Sequence, residues 1–308
     1  MIDFFKKLVF ALPAFMLSSG LWAQPSYRVF DFVDPSLKSF TVSGQLGVVS
    51  YFGDLCPTQD CYTKVNRSAG LGLNLRMNDY FFFNFNALYY RISGSDALSG
   101  NESRLPRNLS FRADNYEFSL VGNFEFLNYN TFRYLTRKEF PISIFSFIGF
   151  GITTNNPQTL YRGTYVQLRP LMTEKVSYSA VAPVIPFGLG VGYKLNDKFS
   201  FSFTSGYRYC FTDYLDDIST QYADQNSFSD PVAFALQYRG PAGKTGTRGN
   251  PKSKDGYFIM SVKAEYKIPN VKFFNFLGMR RGQSGGSGGP KGGGAQPGRK
   301  AAKRRNSK

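Results

Sequence analysis

The clearest pattern in the chain is an alternation of aromatic and small residues over residues 198–210, KFSFSFTSGYRYC. Phe199, Phe201 and Phe203 fall on one face of this pattern, and the small residues between them fall on the other. A period of two is the signature of a β-strand with unlike faces. An aromatic face of this kind packs under a second protein layer or, in a membrane barrel, faces lipid. The acidic sequence that follows predicts a polar loop.

The same period recurs in seven other segments. The sequence therefore predicts eight strands, over residues 40–51, 68–77, 80–92, 116–126, 142–153, 184–193, 198–210 and 257–267. Asn-Asp pairs predict tight turns after the second and sixth strands, whereas the links after strands one, three, five and seven are long and polar. Short turns on one side and long loops on the other are typical of bacterial outer-membrane barrels, whose turns lie in the periplasm. We expect an all-β fold, an eight-stranded antiparallel transmembrane β-barrel in the outer membrane with both termini periplasmic.

The composition agrees with a membrane protein that crosses with strands. Aromatic residues make up 17% of the 308 residues and glycine accounts for 31, a mix that suits lipid-facing strands around a narrow lumen. No run of 18 apolar residues follows the N-terminus, which argues against helical spans. The chain has no histidine, which removes Ser-His and Cys-His dyads and histidine metal sites. We therefore expect no enzyme, cofactor or metal, with a hydrolase built on an acidic pair as a remote alternative.

The two ends of the chain differ in character from its middle. Residues 1–23 have the charged start, apolar core and small-residue end of a secretory signal peptide. Residues 24–38 are expected to form a periplasmic linker, and residues 39–269 the barrel. Residues 270–308 are expected to form a flexible, periplasmic, Gly-rich basic tail that includes GQSGGSGGPKGGGAQPG.

Much of the net charge of +16 belongs to this tail. Nine of the 37 Lys and Arg residues lie within residues 280–308, which contain no acid, so the body of the chain gives no support for nucleic-acid binding. The basic cluster is either a solvated tail or a docking arm for an acidic partner. The candidate partner-binding residues are Arg299, Lys300, Lys303, Arg304 and Arg305.

Charges of both signs are predicted to face the lumen. An eight-stranded barrel has an interior that side chains can just fill. The expected lumen ion pairs are drawn from Arg76, Glu117, Glu125, Arg208, Lys263 and Glu265. Pairing of these charges would plug the lumen, so we expect no open pore; a proton or ion path is the alternative.

The three cysteines do not have the spacing of a zinc site. Cys56 and Cys61 lie close together in CPTQDC, where a local disulfide outside the reducing cytosol is plausible. Cys210 is predicted near the same end of the barrel, so other pairings stay open.

Three segments resemble a known family: YFGDL at residues 51–55, FTDYLDDIST at residues 211–220 and DGYFIMSVKAEYKIP at residues 255–269. Together with the eight-strand layout, they resemble the PorG-like outer-membrane proteins of the type IX secretion and gliding machinery. The resemblance covers about residues 39–269. It implies a non-enzymatic barrel that contacts a periplasmic ring of a lipoprotein and its partner (PorK and PorN, or GldK and GldN). The basic tail departs from that family pattern.

The family motifs are expected to meet at the outer rim of the barrel. The rim residues are Tyr51, Gly53, Asp54, Tyr214, Asp216 and Asp217. They would cap the rim through hydrogen bonds, and a divalent cation held by their oxygens is the alternative.

The leading function is an anchor or scaffold for a periplasmic assembly, and the alternative is a small outer-membrane transport channel. The expected partners are outer-membrane lipids and the ring proteins. No small-molecule substrate is expected.

Overall fold

A computed structural model describes residues 39–55, 65–98, 105–128, 141–240 and 246–269. These residues form one antiparallel sheet of ten strands. The strands are β1 (Ser39–Phe52), β2 (Asn66–Arg76), β3 (Phe81–Ser95), β4 (Ser110–Leu127), β5 (Ile142–Thr154), β6 (Gln158–Tyr161), β7 (Thr164–Gln167), β8 (Val181–Lys194), β9 (Phe199–Cys210) and β10 (Gly256–Ile268). No helix among the described residues is long and apolar enough to cross a membrane.

Eight of these strands close into a barrel. β1 to β5 pair in chain order, β5 continues to β8, and β8 to β10 follow in order. The barrel closes where β1 pairs with β10, from Phe40 with Ile268 to Phe52 with Gly256. β6 and β7 form a hairpin that attaches to β4 on the loop side. The predicted fold class, an eight-stranded antiparallel barrel, is confirmed.

The predicted strands match the observed ones closely, with one clear difference. β4 begins at Ser110, six residues before the predicted start at Tyr116. The additional residues, SFRADN, place charged side chains at the positions that carry apolar ones further along the strand. The side chains of these residues still alternate between the inner and outer faces of the barrel. The outward positions, however, are no longer apolar.

The outer face of the barrel carries an apolar belt. Phe150, Leu46 and Leu71 are more than 70% exposed, which is unusual for large apolar side chains in a folded protein. On β3 and β4 an aromatic pair lies at each end of the belt. The ring centroids of Phe81 and Phe124 are 5.0 Å apart, and those of Tyr89 and Tyr116 are 5.7 Å apart.

The height of this belt agrees with the thickness of a membrane. The eight residue steps between the two aromatic pairs span about 27 Å along the strand at about 3.4 Å per residue. A tilt of about 40° converts this length to about 21 Å along the barrel axis, close to the ~25 Å apolar band of outer-membrane barrels.

The interior of the barrel is filled in three layers. Phe82, Val121, Phe145 and Phe147 pack together toward the tight turns. Polar side chains fill the middle. A larger apolar cluster, which includes Val49, Tyr51, Tyr90, Ile92, Phe111, Tyr257 and Ile259, fills the loop side. The glycines of β8 make room for the first layer, because a Cβ placed on Gly190 would lie 2.2 Å from the ring of Phe145.

The two predicted tight turns are present, and both use an asparagine side chain. Asn78 Oδ1 accepts hydrogen bonds from the backbone N–H groups of Tyr80 and Phe81, at 2.8 and 2.7 Å. Asn196 Oδ1 accepts the equivalent bonds from Lys198 and Phe199, at 2.9 and 2.8 Å. An Asn that bonds to its own downstream backbone fixes a turn without help from the rest of the fold.

The long links lie at the opposite end. The β9–β10 link includes the one α-helix of the described residues, α1 (Pro231–Gln237), where Asp230 caps the backbone N–H of Val232 at 2.8 Å. Four short 3-10 turns also lie in the links, at Asp96–Leu98, Leu105–Arg107, Arg169–Leu171 and Gln225–Ser227. These links fold over the barrel and bring the family motifs together.

Candidate functional site: the loop-side cap

The end of β1 meets the β9–β10 link through two buried carboxylates. The Tyr51 hydroxyl donates to Asp255 Oδ1 at 2.9 Å, and the backbone N–H of Leu55 donates to Asp216 Oδ2 at 3.0 Å. Gly53 lies between these contacts, and a Cβ there would lie 2.0 Å from Asp255 Oδ1. The structure thus brings the YFGDL and DYLDD segments into direct contact.

Each of these carboxylates also fixes backbone within the link. Asp216 Oδ1 accepts from the N–H of Ile218, and Asp255 Oδ2 accepts from the N–H of Leu215, both at 2.9 Å. Asp54 adds a third such contact, because its Oδ2 accepts from the N–H of Asn250 at 2.8 Å. These three acids therefore hold loop backbone in place.

Arg248 is the centre of a second network. Its Nη1 lies 3.0 Å from Glu174 Oε1 and donates to the backbone carbonyl of Asp217 at 2.6 Å. Its Nη2 lies 3.7 Å from Asp217 Oδ2. Glu174 in turn accepts from the backbone N–H groups of Ser219 and Thr220, at 3.0 and 2.9 Å. This network ties the β5–β8 link to the β9–β10 link.

Two tyrosines of the cap stack beside this network. The rings of Tyr178 and Tyr214 lie 4.7 Å apart and nearly parallel. Their hydroxyls donate to Asp217 Oδ1 at 2.7 Å and to Glu174 Oε2 at 3.3 Å. The backbone of Asp217 has a φ of 69°, in the left-handed region, which these contacts and Arg248 hold in place.

A further buried ion pair, between Arg107 and Asp96, connects the β3–β4 link to the β9–β10 link. Arg107 Nε donates to both carboxylate oxygens of Asp96, at 2.8 and 2.7 Å, and Arg107 Nη1 donates to the backbone carbonyl of Arg248 at 2.6 Å. All four long links therefore contribute to one polar assembly. We call this assembly the loop-side cap: Asp54, Asp96, Arg107, Glu174, Tyr178, Asp213, Tyr214, Asp216, Asp217, Arg248 and Asp255.

The cap holds more acids than bases, and burial controls their protonation. Burial raises the pKa of Asp216 and of Asp255 well above the usual range, and their neighbouring acids add to the effect. Burial also raises the pKa of Asp213 to about 7. The pKa of Asp217 is raised by burial although Arg248 opposes the change.

The cap can stabilise loops, and its geometry offers little for metal binding. The described residues contain no group of three or more His, Cys, Asp or Glu side chains placed to hold a metal ion. Most of its carboxylate oxygens instead accept hydrogen bonds from backbone N–H, hydroxyl or guanidinium groups. The arrangement is that of a network that fixes the long links over the barrel mouth.

The lumen contains the predicted charges, although they do not all form pairs. Arg76 lies 2.7 Å from Glu125, and Arg208 Nε lies 3.6 Å from Glu117. Lys263 is buried in the same layer without a carboxylate within ion-pair distance in the described residues. Glu265 accepts from the hydroxyls of Ser202 and Ser200, at 2.8 and 3.3 Å.

The remaining space in the lumen is small. A cavity of about 20 Å³ lies among the middle-layer side chains, beside Glu117, Arg208 and Lys263. This volume is about what one water molecule needs.

The partners that complete the cap have no signal in the sequence. Glu174, Arg248, Asp96 and Arg107 lie in loops without a periodic pattern, and their pairing depends on contacts between different links. Asp255 lies in the quoted DGYFIM segment, but only its burial beside Tyr51 identifies its role. One feature of the sequence does indicate the inward-facing aromatic residues at the loop side. Consecutive apolar residues, such as Val48-Val49 and Tyr89-Tyr90, make both faces of the strand apolar there.

Two sequence predictions concern residues outside the described part of the chain. Cys56 and Cys61 belong to residues 56–64, and the basic residues from Arg299 to Arg305 belong to residues 270–308. Cys210, at the loop end of β9, is a buried free cysteine.

Comparison with solved structures gives low-identity similarities to outer-membrane barrels. The chain is 12% identical to neisserial surface protein A over 74% of this chain and 97% of that one, with a TM-score of 0.39. It is 9% identical to Ail of Yersinia pestis over 75% and 99% of the two chains, with a TM-score of 0.37. For the outer-membrane protease OmpT of Escherichia coli the identity is 10%, the coverage 75% and 97%, and the TM-score 0.32.

Sequence comparison gives a family without an assigned activity. No curated protein matches the chain. A family described as a domain of unknown function (DUF6089) matches residues 36–231, which is more than half of the chain. The chain therefore belongs to the DUF6089 family.

Proposed function

We propose that this protein is an outer-membrane barrel that anchors a periplasmic assembly and has no catalytic role. The assembly we propose is the ring complex of the type IX secretion system. The observation that carries the proposal is that side chains fill the interior of the barrel along its whole length. An apolar layer, a polar layer, a second apolar layer and the loop-side cap follow one another along the axis. A barrel filled in this way suits an anchor better than a conduit.

The apolar belt supports placement in a membrane. Its aromatic ends and its height of about 21 Å match what strands need to cross an outer membrane. If protein rather than lipid covered this belt, a second protein layer would have to surround the whole barrel. The long links would then lie outside the cell, as they do in barrels with short periplasmic turns.

The position of the chain ends supports contact with a periplasmic partner. Ser39 pairs with Arg76, and Phe40 pairs with Ile268, so both ends of the barrel sequence lie beside the Asn78 turn. Residues 270–308, with their ten basic side chains, continue from this end. In the proposed orientation the basic tail would be available to an acidic surface in the periplasm.

The test is site-specific crosslinking in intact cells. A photo-crosslinking residue replaces the exposed Leu195 at a tight turn, Arg299 in the tail or, as a matched control, the exposed Lys252 on the loop side. We expect adducts with PorK- and PorN-type ring proteins from the first two positions and not from the third. Properly inserted barrels that yield no ring adduct, or yield it only from Lys252, would contradict the proposal.

A further inference from the structure

The outer face of the barrel is unevenly charged just beyond the apolar belt. On β3 and β4 the outward pairs run from Ala87 with Phe118, through Tyr89 with Tyr116, to Arg91 with Asp114. The apolar belt therefore gives way first to tyrosine and then to charge. The next outward pair adds Arg112, opposite Ser93.

β2 contributes a third arginine at this level. Arg67 pairs with Val48 of β1, whose side chain faces outward, so Arg67 shares that face. Ala69, two residues along, pairs with Tyr89. Arg67 therefore occupies the position beside Arg91 in the next row. We call Arg67, Arg91 and Arg112 the arginine patch.

Within the part of the chain that the structure describes, the patch carries more positive charge than its neighbours neutralise. Asp114 accepts from Arg91 Nε and Nη2, at 2.6 and 3.0 Å, and so is occupied by that guanidinium. Arg112 lies 3.7 Å from Asp114 Oδ2 and stacks on the ring of Tyr165, also at 3.7 Å. Arg67 is exposed and forms no ion pair with the described residues. Among the described residues, one carboxylate thus faces three guanidinium groups.

Among the described strands the outward charge is concentrated on β2, β3 and β4. Near the loop ends of the other barrel strands the residues on the outward-facing positions are Ser50, Ile152, Ile185, Tyr207 and Phe258, none of which is charged. A general attraction to the membrane surface does not need such a patch. A local cluster of arginines beside exposed Leu71 and Phe118 suits a ligand with both an anionic group and an acyl chain.

We propose that the arginine patch binds the phosphorylated headgroup of a lipid in the leaflet on the loop side. Guanidinium groups bind phosphate oxygens through paired hydrogen bonds, and the apolar side chains below would contact the acyl chains. Tyr89 and Tyr116 lie between the two, at the depth where aromatic rings meet headgroups. This inference rests on the proposed membrane placement and is independent of the proposed ring partner.

The test counts lipids bound to the purified full-length barrel by native mass spectrometry. The probes are lipid A with its phosphates, the same lipid without phosphate, and inorganic phosphate alone. We expect retention of phosphorylated lipid A only. Replacement of Arg67 and Arg112 by Gln should weaken this binding about fivefold for each arginine removed.

The controls separate this inference from the proposed function. Replacement of Lys198 and Lys252, exposed cations away from the patch, by Gln should leave lipid binding unchanged. Arg67→Gln alone serves if the double variant does not fold, because Arg67 has no intramolecular ion pair in the described residues. Equal binding of dephosphorylated lipid, displacement by inorganic phosphate, or equal binding by the Arg67 variant would overturn the inference. Failure of the wild type to insert into bilayers would instead overturn the membrane placement.

Discussion

Gly53 occupies a position where the cap leaves no room for a side chain. Its missing Cβ would collide with the hydroxyl of Tyr51 and with Asp255 Oδ1, which are bonded to each other. Gly53→Ala must therefore displace this bond or the backbone. We expect a loss of about 1–3 kcal/mol in unfolding free energy, measured by urea unfolding of the barrel in lipid vesicles.

A glycine within β1, the strand that immediately precedes Gly53, provides the control. At Gly44 a Cβ would meet nothing within 4 Å, so Gly44→Ala adds the same methyl group without a collision. Its unfolding free energy should stay close to that of the wild type. Equal losses in the two variants would show that the methyl group acts on the strand in general and not on the cap.

Asp213 makes the cap sensitive to pH. Its Oδ2 accepts from the Ser219 hydroxyl at 2.7 Å, but its buried Oδ1 has no hydrogen-bond partner in the described residues. Burial raises its pKa to about 7, whereas an unfolded aspartate titrates near ~3.9. The folded state thus binds this proton more tightly than the unfolded state. The contribution of Asp213 to stability is greatest below about pH 4 and is lost as the pH rises to about 7.

We therefore expect Asp213→Asn to change the pH dependence of the thermal unfolding midpoint. The variant should lose part of the decline that the wild type shows as the pH rises through this window. Asp197→Asn, which changes an exposed carboxylate at a tight turn, should leave the decline intact. Identical profiles for the wild type and Asp213→Asn would contradict the assigned cause.

At the scale of elements, the strands and the motif residues of the cap could be predicted, but the loop partners that complete the cap could not. An alternation such as that of Phe199 to Phe203 depends only on neighbours along the chain, so sequence alone locates the strand and its outward face. The start of β4 was missed because Arg112 and Asp114 lie beyond the apolar belt, where outward residues need not be apolar. The pairing of Glu174 with Arg248 depends on how two loops fold over the barrel, for which the sequence has no periodic signal.

The two tight turns use the same hydrogen bonds in different surroundings. Asn78 is buried, and its turn is tied to the end of β4, since Asn128 Nδ2 donates to the carbonyl of Asp79 at 3.0 Å. The Asn196 turn is exposed. We expect Asn78→Ala to reduce the unfolding free energy by about 1–3 kcal/mol, because the partly buried N–H groups of Tyr80 and Phe81 lose their acceptor.

Asn196→Ala is the matched comparison for this prediction. Water can replace the lost acceptor there, so the reduction should be at most about 1 kcal/mol. Urea unfolding in lipid vesicles measures both variants. A larger loss at Asn196 would mean that burial does not decide the strength of these turns.

For the whole molecule, the layered interior predicts a barrel that does not conduct ions. The cavity of about 20 Å³ lies in the polar layer between the two apolar layers. The full chain in planar bilayers should give no conductance steps. Phe145→Ala with Phe147→Ala should also stay silent, because Tyr51, Tyr90 and Tyr257 still fill the loop side.

This measurement bears directly on the alternative of a small transport channel. Heat-dependent migration in gel electrophoresis verifies that each preparation contains folded barrels. Reproducible conductance steps from folded wild-type protein would favour the channel over the anchor.

The bond between Tyr51 and Asp255 also has a consequence for the order of biogenesis. It joins residues 204 positions apart, and Asp255 immediately precedes the last strand. A partly inserted chain whose last strand has not yet paired cannot form this bond, so the loop-side surface stays incomplete until β1 pairs with β10. Antibodies or proteases that recognise the finished surface would therefore report completed insertion.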